Sequence, residues 1–109
     1  MKIKPVPPSP IDPVVLRANA AKVGALMELL SNPSRLLILC RLAEVGECPA
    51  GELAMEGLSQ SALSQHLARL RAEGLVETRR EGRSIHYRIA DERLLALMET
   101  LYQLYCKES

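Results

Sequence analysis

The sequence predicts a mainly α domain with one β-hairpin, in the order helix, helix, helix, helix, hairpin, helix. Three observations predict it. Asp12-Pro13 and Asn32-Pro33 each set a capping side chain before a proline suited to the first turn of a helix. Apolar residues then recur at helical spacing through several long stretches. After Gly74 the period changes, and Ile85, Tyr87 and Ile89 alternate with His86 and Arg88 as in a strand.

Taken in order, residues 1–11 hold Pro5, Pro7, Pro8 and Pro10 and read as a flexible, extended tail. The first helix carries Val15, Leu16, Val23, Leu26, Met27 and Leu30. The second places Leu36, Leu39, Cys40 and Ala43 on one face and stops at Gly46 and Pro49. A short helix over about Ala50 to Met55 follows. Ser59 then caps a longer helix that packs through Leu63, Leu67 and Leu70 and ends near Gly74. The hairpin turns through Arg80-Glu81-Gly82-Arg83, where Gly82 can supply a positive φ. From Asp91 a last helix carries Leu94, Leu97, Met98, Leu101, Tyr102 and Tyr105. Residues 12–107 thus read as one domain, with 108–109 as its C-terminal end.

At 109 residues and 48% hydrophobic content, one domain with a modest core is expected, which a second subunit would help stabilise. Fourteen Lys plus Arg against thirteen Asp plus Glu give +1, which excludes a generic basic nucleic-acid binder. By segment, however, residues 1–43 carry +4, 44–58 carry −4, 59–90 carry +3 and 91–109 carry −2. The cations of the 59–90 block are all arginines, which suit phosphate and guanine better than lysines do. Three cysteines and no signal-peptide pattern argue against a disulfide-scaffolded secreted domain and for a reducing cytoplasm. The longest apolar run, Leu36 to Cys40, is far too short to cross a bilayer.

Two helices joined by a tight glycine-containing turn match helix-turn-helix geometry. Opposite the leucines of the 59–73 helix lie Gln60, Ser61, Ser64, Gln65 and Arg71, short polar groups able to meet base edges and phosphates. Arg79, Arg80 and Arg83 near the hairpin tip suit a wing that straddles the DNA backbone or enters a minor groove. Taken singly, each of these residues is explained by a capped, solvated surface; their combination favours DNA. His66 flanks the apolar face and reads as a packing or hydrogen-bonding histidine. His86 reads as an exposed side chain on the polar face of its strand.

The run Leu58-Ser59-Gln60-Ser61-Ala62-Leu63-Ser64-Gln65-His66-Leu67, followed by Leu70 to Val76 and Arg80-Glu81-Gly82-Arg83, resembles the ArsR/SmtB family of bacterial winged-helix repressors. Asn32-Pro33-Ser34-Arg35 is similar to the family's second-helix signature, and the resemblance covers about residues 15–107. It implies a winged helix-turn-helix fold and a homodimer that binds double-stranded DNA at an imperfect inverted repeat. The expected interface comprises Leu16, Leu94, Leu97, Met98, Leu101, Tyr102 and Tyr105. The apolar stripe of the last helix supports this independently, since a small domain has little core left for it to cover.

The family's metal sites do not carry over. Their cysteine positions fall on Pro49 and Gly51, with Cys48 one residue early. In the last helix Asp91 matches, but Arg93, Leu104 and Lys107 offer no usable lone pair. No metal or other cofactor is therefore expected.

The placement of Cys40 and Cys106 is similar to the family's dithiol branch, whose members sense reactive sulfur species or oxidants. The resemblance implies that persulfides or oxidants act as inducer, linking the two thiols through a persulfide or mixed-disulfide intermediate. On its own apolar face, without the resemblance, Cys40 reads as core packing, and Cys48 reads as a bystander. A metal-responsive or constitutive repressor is the nearest alternative, and a winged-helix interaction module without DNA binding is one of a different class. A steep fall of duplex affinity with salt distinguishes them. No histidine base or oxyanion turn accompanies Cys40, so an enzyme is not expected.

Overall fold

The computed structural model describes residues 4–55 and 57–107. The start of the proline-rich tail and residues 108–109 lie outside the described residues. Residues 4–11 are exposed and carry no regular secondary structure. The elements are α1 (Pro13–Leu30), α2 (Pro33–Val45), β1 (Cys48–Pro49), a 3-10 turn (Ala50–Leu53), α3 (Gln60–Ala72), β2 (Val76–Glu81), β3 (Ser84–Ile89) and α4 (Glu92–Tyr105).

Each α-helix begins where a side chain replaces the missing backbone partner of the first turn. Asp12 accepts from the Val14 amide at 2.9 Å, Asn32 from Arg35 at 3.1 Å, Ser59 from Ala62 at 3.0 Å and Asp91 from Arg93 at 2.8 Å. Ser59 sets the start of the polar helix α3, so Ser59→Ala is expected to cost about 0.5–2 kcal/mol. A lowered urea midpoint with unchanged m-value would show it, and an unchanged midpoint would refute the cap's contribution. Gly74, at φ +75°, ends α3 in a conformation that L side chains resist.

The short helix expected over residues 50–55 is a tighter, four-residue 3-10 turn, because Ala54 is already extended at φ −62° and ψ 138°. The hairpin is also part of a larger sheet. Cys48 and Pro49 pair antiparallel with Tyr87 and His86, giving the order β1-β3-β2. A two-residue strand is too short to show a period, which hid it from pattern reading. Between β2 and β3, Glu81 faces Ser84, leaving the two-residue loop Gly82-Arg83. Only Gly82 there has positive φ, +61°, as a type II′ turn requires at its first central position.

The core is aliphatic. Ile38, Leu39 and Leu42 of α2 share one buried cluster with Leu63, Leu67 and Leu70 of α3, with Cys48, Leu53 and Val76, and with Leu94 and Met98 of α4. Two residues expected at a dimer interface, Leu94 and Met98, are therefore spent inside the subunit, 2% and 1% exposed. Their i, i+4 spacing puts them on the inward stripe of α4. Leu97 and Leu101 border the core, while Tyr102, Leu104 and Tyr105 face outward.

Helix α1 projects from this body, and the whole measures 57 × 34 × 21 Å. It meets α2 at 95°, and the joint is fastened by Leu29 and Leu30 and by Arg35, whose Nε donates to the Leu29 carbonyl at 2.8 Å. The rest of α1 leaves Val14, Val15, Leu16, Val23 and Met27 exposed. Among the described residues, no single helix is long and apolar enough to cross a membrane.

Candidate nucleic-acid interface and thiol pair

Helix α3 divides cleanly. Leu63, Leu67 and Leu70 are buried, whereas Gln60, Ser61, Ser64, Gln65 and Arg71 are all exposed. The leucines fall three and four residues apart, so packing them turns the short polar groups outward. His66 is half-buried at the flank. A cleft of about 490 Å³ opens beside α3, lined by Ser64 and Arg71 of the helix and by Tyr87 of β3.

The wing arginines divide into two groups. Cross-strand register places Glu77, Arg79 and Glu81 on one face of the sheet with Arg88, His86 and Ser84. Glu47, just before β1, joins them. The Arg79 Nε donates to Glu47 at 2.6 Å, and its second guanidinium nitrogen lies 3.0 Å from Glu81. Hydrogen bonds to Glu81 and Glu47 raise the Arg79 pKa further. Arg88 pairs with Glu77. Arg79, expected to contact DNA, is thus engaged by two carboxylates within the subunit. Among the described residues, Arg80 and Arg83 at the tip form no ion pair, and neither do Arg69 and Arg71 of α3. His86, expected to be exposed, is half-buried between Glu47 and Glu81, each 3.7 Å from a different ring nitrogen. Register alone could have paired His86 with Arg79, but Glu47 required knowledge of β1.

The three cysteines are free. Cys40 is half-buried on α2, Cys106 is exposed at the C-cap of α4, and α2 packs against α4. Burial pushes the Cys40 thiol up, and Cys106 is close enough for its charge to push it further. The fold therefore packs against each other the two helices that carry these thiols, 66 positions apart in sequence. Cys48 lies elsewhere, buried in β1 opposite Tyr87. Burial and then the Glu52 carboxylate raise its pKa, with Arg41 opposing. Among the described residues, no three His, Cys, Asp or Glu side chains converge as metal ligands would. Asp91 is engaged by Arg93, whose hydrogen bonds hold its carboxyl below the usual range.

Also on α2, Cys40 opens into a second cleft of about 710 Å³ between α2, the 3-10 turn and α4. Sequence reasoning missed it, since its walls come from three separated segments.

A buried-leucine helix carrying a short polar face, preceded by a tight turn and flanked by an arginine-tipped hairpin, defines a winged helix-turn-helix transcriptional regulator. Comparison with known proteins narrows this class. Residues 32–78 match the family model described as "Bacterial regulatory protein, arsR family". The chain is 47% identical to the HTH-type transcriptional regulator YgaV of Escherichia coli, over 84% of this chain and 93% of that one. It is 42% identical to the transcriptional activator HlyU of Vibrio cholerae, over 91% and 92% of the two chains. Reduced HlyU superposes with a TM-score of 0.77 over 85% of this chain and 98% of that one, at 44% identity. The transcriptional repressor BigR of Xylella fastidiosa superposes at 0.81 over 90% of this chain and all of the other, at 37% identity. The chain belongs to the arsR family of bacterial transcriptional regulators.

Proposed function

We propose that two copies of the chain bind an inverted-repeat operator and that linking Cys40 to Cys106 changes operator affinity. The observation that carries this reading is that two free thiols sit on α2 and α4, helices that pack against each other. Gln60, Ser61, Ser64 and Gln65 meet base edges, and Arg71, Arg80 and Arg83 hold phosphates. The exposed apolar residues of α1, with Tyr102 and Tyr105 of α4, supply the face that a second copy covers.

The chemistry balances with an organic persulfide, RSSH, as oxidant. One cysteine thiolate attacks the outer sulfur, the S–S bond breaks, and RS⁻ leaves and takes up a proton. The second thiolate attacks the inner, cysteine-derived sulfur of the resulting persulfide, and hydrosulfide leaves and is protonated. Two thiols have become a disulfide, and RSSH has been reduced to a thiol, RSH, and hydrogen sulfide. The bond ties α2 to α4, the helix that borders the outward apolar face, and so biases the spacing of the two α3 helices. A coupling of about 1–3 kcal/mol corresponds to about a 5- to 150-fold change in affinity.

Operator titrations before and after persulfide treatment test the proposal. Cys40→Ser and Cys106→Ser should each abolish the response, whereas Cys48→Ser should retain it. Release of Cys40→Ser by persulfide at the unmodified protein's level would sink the idea. The raised Cys40 pKa adds a pH signature. Only the thiolate reacts, so alkylation of Cys40 should keep accelerating with pH beyond the ordinary thiol range. A plateau at or below that range, measured by stopped alkylation and peptide mass spectrometry, would contradict the role of burial.

A further inference from the structure

The cleft beside Cys40 has a composition that selects among sulfur donors. Leu37, Leu53, Met55, Met98 and Tyr102, the last also on the face proposed for a second copy, make its walls predominantly apolar. Its size, about 710 Å³, falls within the range of small-molecule pockets. Its charges do not cancel. Arg41 is paired with Glu44 at 2.7 Å, while Glu52 and Glu99, also lining the cleft, form no ion pair among the described residues. The cleft thus offers hydrophobic contact to its occupant and an excess of negative charge at its margin. Cys106 does not line it and is exposed on its own.

We propose that this cleft is a binding site for uncharged, apolar organic sulfur donors, which it delivers to Cys40 while disfavouring anionic ones. The proposal rests on the thiol-switch reading above and names the class of molecule that operates the switch. An organic persulfide in its neutral, protonated form, RSSH, gains from leaving water for the apolar walls. A donor bearing a carboxylate meets the unmatched charges of Glu52 and Glu99 and is depleted there. The bound donor presents its outer sulfur to the Cys40 thiolate; a new S–S bond forms, the donor's own S–S bond breaks, and the departing thiolate is protonated. An anionic donor is left to react at the exposed Cys106.

Methanethiosulfonates test this on the unmodified, full-length protein. In each reaction the cysteine thiolate displaces methanesulfinate and becomes a mixed disulfide. Labelling rates at the Cys40 peptide, read by mass spectrometry, would be compared for methyl, benzyl and anionic sulfonatoethyl reagents. Each rate is divided by that of the same reagent with 2-mercaptoethanol. The benzyl reagent should label Cys40 faster than the methyl one, and the anionic reagent should be slower by about tenfold at low salt. Glu52→Gln combined with Glu99→Gln should remove most of the anionic deficit and leave the benzyl preference. Equal normalised rates, or a deficit unchanged in the double variant, would overturn the proposal. So would a Cys40 that no reagent reaches while Cys106 is labelled, which would mean that a second copy seals the cleft. The readout is independent of DNA: loss of the operator switch would leave these rates as they are, and flat rates would leave the switch standing.

Discussion

Truncating Leu94 to alanine is expected to lower folding stability by about 2–5 kcal/mol, the range for deleting a fully buried leucine side chain. Leu94 is 2% exposed and shares the core with Leu39, Leu70 and Met98, so its removal leaves a cavity among side chains that close only in part. Urea unfolding at fixed protein concentration, followed by circular dichroism, measures the loss. Concentration must be held constant because self-association would add to apparent stability. Tyr105→Ala provides the contrast. Tyr105 is 81% exposed, so its truncation should leave subunit packing intact and weaken self-association instead. Sedimentation would separate the two effects. If Leu94→Ala dissociated the protein without lowering its unfolding midpoint, Leu94 would belong to an interface after all.

The second large effect is expected at the wing tip. Replacing Arg80 and Arg83 together by alanine should weaken operator binding by about 10- to 100-fold, as expected for losing charged hydrogen bonds. The phosphate contacts proposed for them would also release counterions, so the slope of log affinity against log salt should become shallower by about 2. Arg79→Ala should cost less affinity, because the Arg79 guanidinium is already held by Glu47 and Glu81. Fluorescence anisotropy with an operator duplex over a salt series measures both quantities. An unchanged slope in the Arg80, Arg83 double variant would remove the wing tip from the interface.

Local signals were legible in the chain. Asx-Pro at α1 and α2, Ser59 before α3 and Asp91 before α4 act within three residues of themselves, and all four cap their helices. The division of α3 follows from its 3.6-residue period, and Gly82 reports the hairpin turn because few other residues tolerate its φ. The strand β1 was not legible, because Cys48 and Pro49 become a strand only when β3 offers them an edge. The strand accounts for the surroundings of Arg79 and His86 as well. Pairing of β1 brings Glu47 to the outer face of the sheet, where it captures Arg79 and closes over His86.

Residues adjacent in the chain suffice to dictate the helix starts, the polar face of α3, the hairpin and the segregation of charge that near-neutrality conceals. Each is a property of neighbours in the chain or of a repeating period. Tertiary structure decided which cations remain available and which apolar residues of α4 are already buried. It also packed the helix of Cys40 against that of Cys106 and set Cys40 beside an acidic-rimmed cleft while enclosing Cys48. Those outcomes depend on segments remote in sequence coming together, and burial and electrostatic pairing are properties of that assembled neighbourhood.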